Sequence, residues 1–354
     1  MIYFPYWRFK GILFSCLNTG IDGRFVDVSQ QAVTSKHFPF SAGIRPQVGK
    51  LTFATKKSEG RFLRPDITYT DAIDLFKGSL TRFAPKPIYH QSYVGDVLSL
   101  MYAPFFVLGR LFDAVLNKPI NKGIPQDLAA TLTATEKIEN ETRFFPTICP
   151  ACGWDLDGEK DASVLLCKNC QTAWQPTQKG FAKLPFVCLT NMGQYRTSLP
   201  FWRITADIDG ISLDTVADFA RLANIPYLAK GKDSNTRFHF WVPAFKVRAK
   251  MLLTISRRIT IAQLDTDGDR KILPEGTIVP ANLPVTEAVQ TLKIIIAEFA
   301  KPAKNYFPYL DQIRITSPKA LLVYIPFNED HHDFIQPKLN LGIGKRLLAL
   351  AKKF

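Results

Sequence analysis

The feature that most constrains the fold of this chain is a segment that occurs twice. It reads PYWRF at residues 5–9 and PFWRI at residues 200–204. Three further matches follow in the same order: Pro39 with Pro243, residues 70–77 with residues 286–293, and Pro104 with Pro326. The separations between matched positions rise steadily, from 195 through 204 and 216 to 222 residues. A chain with 24 prolines and 27 phenylalanines repeats single proline–aromatic strings by chance, but four matches in one order favour an internal duplication.

The duplication divides the chain of 354 residues into three predicted parts. Residues 1–145 are the first half and residues 185–354 the second, with an insert at residues 146–184. A domain typically has about 100–200 residues, so each half is long enough to form a core. Apolar spacing predicts a helix over residues 126–142 that leads into the insert, and residues 179–185 are interpreted as the linker that leaves it.

The order of the predicted elements indicates an α+β fold, with two related halves of mostly antiparallel sheet and a few helices. The proline-led segments are typical of strands, because the first residue of a strand can lack an amide donor. Helices are predicted over residues 70–81, 212–224 and 286–301. Strands and helices do not alternate regularly, which argues against a parallel βαβ fold.

Side chains alternate across a strand, so each proline-led segment is expected to have an apolar face and a basic face. In the first copy Trp7 and Phe9 lie opposite Arg8. A third strand, over residues 243–250, has the same pattern with basic residues at every second position. The predicted basic binding surface consists of Arg8, Lys10, Arg203, Lys246, Arg248 and Lys250.

Trp7 and Trp202 occupy equivalent positions in the two copies. The alternation puts each tryptophan on the face opposite the neighbouring arginine, which favours a pair of equivalent core residues. The alternative is a platform on which nucleic-acid bases stack, and this needs exposed rings beside cations.

Four of the six cysteines form two C-x2-C pairs, at Cys149 and Cys152 and at Cys167 and Cys170. Two residues between paired cysteines let a tight turn direct both sulfurs at one point, and two such turns complete a tetrahedron around a metal ion. Soft thiolates favour zinc or iron, and four sulfurs leave no coordination position for water. The insert therefore predicts one structural Zn²⁺, with an iron centre or a redox dithiol as alternatives.

Residues 145–176 resemble the zinc-ribbon family, in which two cysteine knuckles lie on short antiparallel strands. Gly153 stands where such a knuckle needs a glycine, whereas Gln171 replaces the second glycine that is common there. The resemblance implies that Cys149, Cys152, Cys167 and Cys170 are the ligands. It covers a small fraction of the chain and assigns no function to the rest.

The formal charge of +14 lies on the two halves and not on the insert. By segment it is +6 for residues 1–145, zero for residues 146–184 and +8 for residues 185–354. A ribbon that binds nucleic acid usually has basic side chains around its knuckles, to contact phosphates. The neutral insert therefore argues against nucleic-acid binding by the ribbon itself.

The C-terminal segment is basic, apolar and helix-prone. Its cations, Lys345, Arg346, Lys352 and Lys353, could contact anionic lipid headgroups or a partner. The alternative is a final helix packed on the second half.

Sequence motifs for catalysis are absent: there is no nucleotide-phosphate loop and no nucleophile elbow. His331 and His332 stand among carboxylates, but a solvated turn explains them better than an acid–base site. Asp207 and Asp209 share a strand face, as paired carboxylates do, with nothing adjacent in sequence to complete a mechanism. No small-molecule substrate is indicated.

These observations favour a non-catalytic zinc-containing scaffold or adaptor that binds an acidic protein or a multi-subunit assembly. Nucleic-acid binding and peripheral membrane association are the alternatives. The longest apolar run, about residues 97–109, is too short to span a bilayer, and no signal peptide is evident. The expected location is the cytoplasm, with the inner face of a membrane as the alternative.

Overall fold

The computed structural model describes residues 1–81, 87–123, 135–136, 144–226, 235–266 and 271–351. The fold is α+β. Its strands are β1 Ile2–Leu17, β2 Gly20–Gln31, β3 Arg61–Leu63, β4 Ile88–Val107, β5 Leu111–Asp113, β6 Lys118–Pro119, β7 Thr135–Glu136, β8 Leu165–Cys167, β9 Thr172–Thr177, β10 Gly180–Leu184, β11 Phe186–Cys188, β12 Thr197–Asp209, β13 Phe240–Pro243, β14 Thr277–Ile278, β15 Arg314–Glu329, β16 Asp333–Gln336 and β17 Leu341–Gly344. The helices are α1 Arg45–Val48, α2 Tyr69–Thr81, α3 Val216–Leu222, α4 Ala249–Ala262, α5 Val285–Gln290, α6 Leu292–Phe299 and α7 Lys345–Ala351.

The strands form two large sheets and one small sheet. The first has the order β6-β5-β4-β1-β3-β7, with β2 also paired to β1, and the second has the order β13-β12-β15-β16-β17, with β11 on β15 and β14 on β12. The small sheet, β10-β9-β8, belongs to the insert. Pairing is mostly antiparallel, and each large sheet has one short parallel strand beside its first long strand.

The short parallel strands show that the two large sheets are built alike. Ile2 pairs with Arg61 in the first sheet, and Thr197 pairs with Thr277 in the second. Thr197 lies 195 positions after Ile2, and Thr277 lies 216 positions after Arg61. These are the separations of the sequence matches at Pro5 and at residue 70. The two sheets therefore share a register as well as an order of elements.

One of the four sequence matches is wrong. The carbonyl of the leading proline accepts a hydrogen bond from the amide of Ala32 in the first copy and from that of Ala244 in the second, over 3.0 Å in both. Ala32 is thus the structural counterpart of Ala244, so Pro39 cannot correspond to Pro243. The segments that follow differ, because α1 and an exposed loop in the first copy stand where α4 stands in the second.

The chain forms two compact units. The first comprises Met1–Gly11, Val26–Pro85 and Gly95–Phe144, and the second comprises Ile12–Phe25, Lys86–Val94 and Phe145–Phe354. Two segments of the first repeat, residues 12–25 and 86–94, therefore belong to the second unit.

Each unit has its own core. That of the first unit includes Phe4, Tyr6 and Phe105. The larger core of the second unit includes Trp202 and also Phe14, which the first repeat contributes.

The expectation of one apolar and one basic face per strand is wrong for the first part of each long strand. Ile2, Phe4 and Tyr6, on the same face as Arg8, form the core of the first unit. In β12 every residue from Thr197 to Trp202 is buried. Both faces of these strands are covered, and alternation alone does not show whether a second layer covers the other face.

Trp202 is a core residue, as expected, whereas Trp7 is not among the buried residues of the core. Trp202 is 1% exposed and Trp7 is half-buried. Each indole donates a hydrogen bond to a backbone carbonyl.

Three predicted elements differ from the structure. Residues 243–250 are not a strand, because β13 ends at Pro243 and α4 begins at Ala249. The helix predicted over residues 126–142 lies outside the described residues except for Thr135–Glu136, which form β7. The expected linker at residues 179–185 is mostly β10, which pairs with β9. Among the helices of the described residues, none is long and apolar enough to cross a membrane.

Candidate metal centre and polar sheet face

The four predicted ligand cysteines lie together. Their sulfurs are all within 4.8 Å of one another, and the Cys149–Cys170 and Cys152–Cys167 sulfur pairs are each 3.5 Å apart. A tetrahedron with metal–sulfur bonds of about 2.3 Å needs sulfurs about 3.8 Å apart, so the arrangement fits one metal ion. Within the described residues these four cysteines are the only group of three or more cysteine, histidine, aspartate or glutamate side chains placed to hold a metal ion.

Each cysteine pair is followed by a residue in the left-handed region. Gly153 has φ +74° after the first pair, and Gln171 has φ +56° after the second. Gln171 thus adopts the conformation that a glycine usually supplies. Its side chain offsets the strain, because Nε2 donates to Lys168 O over 2.6 Å and Oε1 accepts from the amide of Leu273 over 2.8 Å.

The thiols of the cluster differ in how readily they ionise. Burial opposes ionisation of Cys149, but hydrogen bonds from the amides of Ala151 and Cys152, together with those of its side-chain neighbours, lower its pKa to about 6. Thr172 stabilises the Cys170 thiolate, yet loss of hydration and three neighbouring sulfurs raise the pKa of Cys170 to about 12. The pKa values of Cys149 and Cys152 are thus lowered while that of Cys170 is raised by its neighbours, so a cation at the centre favours the fully ionised set.

The strands of the insert face two cores. Leu165 and Trp174 pack around the cysteines in a small cluster of their own. Leu166 and Ala173, on the opposite face, belong to the main core of the second unit. The cysteine module, residues 145–184, is therefore packed into the second unit.

Polar contacts add to this packing. Asn282 Nδ2 donates to Asp161 Oδ2 over 2.9 Å, and Ser163 Oγ donates to Ala281 O over 2.9 Å. Asn282 also accepts from the Lys246 amide over 2.8 Å. In the first copy the counterpart of Asn282 is Asp66, whose carboxylate accepts from a backbone amide in the same way. The second copy has thus adapted a shared turn to hold the module.

A second candidate site lies at the open end of the second sheet. Asp207 and Asp209 are on one face of β12, and the register places Thr316 opposite Asp207 and Arg314 opposite Asp209. Residues directly opposite in an antiparallel pair share a face. We call this the polar sheet face, and its members are Thr205, Asp207 and Asp209 of β12, Arg314, Thr316 and Lys319 of β15, and Arg237.

The charged groups of this face are solvent-accessible. Arg237 Nη2 lies 3.3 Å from Asp207 Oδ1, with side chains 61% and 62% exposed respectively. Asp209, Arg314 and Lys319 are exposed too. Three cations thus stand around two carboxylates.

A β-bulge aligns the two strands here. Thr205 pairs with Lys319 and Asp207 pairs with Thr316, so Ser317 and Pro318 together lie opposite Ala206. Ser317 has φ +48°, and Pro318 needs no amide partner in a bulge. The extra residue brings Arg314 and Thr316 to the face that carries the two aspartates.

The first copy lacks this polar set. The residues 195 positions before Asp207 and Asp209 are Ile12 and Phe14, and Phe14 is fully buried. The residue 222 positions before Thr316 is Val94, which is 2% exposed. The shared fold therefore does not require charges at these positions. Sequence reasoning found the aspartates but not Arg237 and Arg314, whose proximity depends on strand register.

The residues of the predicted basic surface have different environments. Arg8 makes two hydrogen bonds to Asp27, at 2.6 and 2.7 Å, and Arg203 donates to Thr266 Oγ1. Lys10 and Lys246 are half-buried. Arg248 and Lys250 are exposed at the start of α4.

The cations of the C-terminal segment begin in α7. Lys345 lies 2.8 Å from Glu329 and over the ring of Phe334. Lys345 and Arg346 are described, whereas Lys352 and Lys353 lie outside the described residues. His331 and His332 are exposed in the turn after β15.

Comparison of the chain with protein-family models, curated proteins and solved structures gives no match.

Proposed function

We propose that this protein binds nucleic acid through the polar sheet face, with a divalent cation held by Asp207 and Asp209. Arg237, Arg314 and Lys319 supply guanidinium and ammonium groups of the kind that contact phosphate oxygens. Carboxylate oxygens are the ligands that Mg²⁺ takes from proteins, usually together with phosphates of the ligand. Two carboxylates beside three cationic side chains suit a phosphate ligand that carries a bound metal ion.

The observation that carries this proposal is the difference between the copies. Where the second copy has Asp207 and Asp209 in β12, the first has Ile12 and Phe14 at the equivalent positions of β1, in the other large sheet. Charged groups retained on an otherwise apolar framework are better explained by a ligand than by packing.

Binding of full-length protein to fluorescent single-stranded and duplex DNA and RNA, measured across a salt series, tests the proposal. The logarithm of the binding constant should fall by about 0.7–0.9 for each phosphate neutralised, per unit of log salt. The variant Arg314→Ala/Lys319→Ala should bind at least tenfold more weakly. Arg248→Ala/Lys250→Ala removes the same charge at the start of α4 and is the matched control. Equal loss in both variants would contradict the location and favour the predicted basic surface.

A second candidate is metal-dependent chemistry on phosphate esters at the same face. The paired aspartates favour it, because metal-assisted phosphoryl transfer uses carboxylates that hold one or two divalent ions beside the phosphate. Turnover of nucleotide or oligonucleotide substrates in the presence of Mg²⁺ or Mn²⁺ should then be lost in Asp207→Asn. Binding of nucleic acid without any turnover would rule out this second candidate and support binding as the function of the face.

For the cysteine module we propose one structural Zn²⁺ in a zinc-ribbon-like site. Elemental analysis should give about one zinc per chain, and Cys152→Ser should lose it. Cys16→Ser changes a buried cysteine outside the module and should keep the metal. Iron in the purified protein would contradict zinc. The thiolate ligands, together with Cys16 and Cys188, which form no disulfide bond, fit a reducing compartment, so we propose the cytoplasm.

The scaffold function predicted from sequence has the same zinc site but an acidic protein as its partner. It predicts that an acidic protein co-purifies at low salt and that nucleic acid does not compete with it. Membrane association through α7 predicts sedimentation with anionic vesicles only. The ion pair of Lys345 with Glu329 supports packing of this helix on the second unit instead.

A further inference from the structure

The first unit contains a large cleft that shares no residue with the polar sheet face. Its volume is about 1490 Å³, whereas pockets for small molecules usually have about 300–1,000 Å³. β1, β4 and the chain between α1 and β3 supply most of its lining. The cleft is therefore large enough for a ligand with several chemically distinct parts.

The charge of the cleft has one sign. Arg8, Arg45, Lys50 and Arg64 line it, and no aspartate or glutamate is among the described lining residues. The cleft therefore favours an anion.

Two of these cations are held in place by carboxylates outside the lining. Arg45 contacts the buried carboxylate of Asp113 at 2.5 Å. Arg8 contacts the partly exposed carboxylate of Asp27 at 2.6 Å. No ion pair of Lys50 or Arg64 is found within the described part of the chain. Two positioned and two unneutralised cations thus face one space, which suits a ligand with more than one negative charge.

Aromatic rings lie beside the cations. Tyr3 and Phe62 are stacked, with centroids 4.3 Å apart and planes 6° apart, and Tyr102 meets Phe62 edge-on at 5.1 Å. Phe53 also lines the cleft and is 80% exposed. A large exposed ring at the edge of a cationic cleft gives a planar group a surface on which to stack.

We propose that this cleft binds a nucleotide unit, with its phosphates on Lys50 and Arg64 and its base against Phe53. The ligand class follows from the pairing of unneutralised cations with an exposed ring, since phosphate and base are the two parts of a nucleotide. The source is either a free nucleotide or one unit of a single strand. The proposal does not rest on the function assigned to the polar sheet face, because the two sites share no residue.

Equilibrium binding to full-length protein tests the proposal, with ATP, a six-nucleotide single strand, adenosine and pyrophosphate as probes. ATP or the oligonucleotide should bind at least tenfold more tightly than either adenosine or pyrophosphate, because only the first two join a base to phosphate. Preference for the oligonucleotide identifies a strand, and equal or better binding of ATP identifies a free nucleotide. Failure of both probes overturns the proposal.

Variants locate the binding. Lys50→Gln/Arg64→Gln should weaken it at least tenfold, and Phe53→Ala should weaken it severalfold. Lys57→Gln removes an exposed cation of the same loop that does not line the cleft, and it should have no effect. Arg314→Ala/Lys319→Ala should leave ATP binding unchanged, which separates this site from the polar sheet face. Unchanged affinity in Lys50→Gln/Arg64→Gln would overturn the proposal even if nucleotide binds elsewhere.

Discussion

Trp202 donates its indole N–H to the carbonyl of Leu283 over 2.9 Å. In the first copy Trp7 donates to the carbonyl of Ile67, also over 2.9 Å. The two tryptophans are 195 residues apart and the two carbonyl residues are 216 apart. The same two separations relate the paired residues of β1 and β3 to those of β12 and β14. A side-chain hydrogen bond has thus been kept in both copies, where it ties the long strand to the turn before a helix.

The two tryptophans are expected to differ in their contribution to stability. Trp202 is 1% exposed, so Trp202→Phe leaves a buried carbonyl without its donor and should cost about 1–3 kcal/mol. Trp7→Phe should cost less, about 0.5–1.5 kcal/mol, because water replaces the lost donor at a half-buried site. Urea unfolding of the two variants measures the difference. Equal costs would show that water reaches both carbonyls alike.

Gly276 is expected to tolerate no side chain. It has φ +96°, and a Cβ would lie 2.3 Å from Arg196 O, which is fixed by a hydrogen bond from the Thr277 amide. Gly180 has φ +127° but nothing within 4 Å of its Cβ position, so Gly180→Ala measures the backbone strain alone, about 1–2 kcal/mol. Gly276→Ala should exceed that cost by about 1–3 kcal/mol. Similar losses in the two variants would mean that the strand shifts to accommodate the methyl group.

Gln171 combines a left-handed backbone conformation with a side-chain hydrogen bond to the Leu273 amide, and two variants separate these contributions. Gln171→Gly keeps the left-handed conformation and removes the contact with Leu273. We expect full metal content together with faster hydrogen exchange at the Leu273 amide. Gln171→Ala loses the same contact and retains the backbone strain, so it should be the less stable of the two. Loss of metal from Gln171→Gly would show that the side chain supports the cysteines directly.

Asp218 should make stability depend on pH in acid. Burial alone would raise the pKa of its carboxyl, but hydrogen bonds from Thr215, Arg221 and Ser212 outweigh burial and lower the pKa. Because the unfolded carboxyl has a pKa of about 3.9, the contribution is complete above that pH and is lost as the pH falls further.

Asp218 is the third residue of α3 and forms a capping box with Thr215, the residue that caps the helix, so Asp218→Asn should cost about 0.5–2 kcal/mol at pH 7, the usual range for loss of a capping interaction. The difference from the natural protein should shrink below about pH 4. Asp214→Asn, four residues earlier and exposed, is the control and should change little. A cost that stays constant down to pH 2 would contradict the role of the ionised carboxylate.

The cysteine module and the duplication could be predicted from sequence because both depend on spacing. The four ligands lie within 22 residues, and Gly153 has the backbone conformation that the pattern requires. The separations at Pro5 and residue 70 agree with the strand register of both sheets. The wrong match of Pro39 with Pro243 lies where the two copies have different elements, so no equivalent position exists there for a sequence match to identify.

Burial and contacts between distant residues could not be predicted in the same way. The pattern around Tyr6 shows which residues share a face, but burial on both sides depends on a second layer from elsewhere in the chain. The partners of Asp207 and Asp209 are 30 and 105 residues further on. The position of Arg314 depends on a one-residue bulge in β15, and no periodic pattern in the sequence reveals such a bulge.

That bulge has a consequence for how the protein can vary. Because Ser317 and Pro318 share one position opposite Ala206, deletion of Ser317 alone would leave a regular ladder in which Thr316 still lies opposite Asp207 and Arg314 opposite Asp209. If the strand kept both residues but formed no bulge, Ser317 would lie opposite Asp207, and Arg314 and Thr316 would turn towards the core. In the first copy Gly95 stands 222 residues before Ser317 and also has positive φ. The bulge therefore decides which side chains of β15 share a face with the two aspartates, and β15 can lose its one extra residue at this point without exchanging inside for outside.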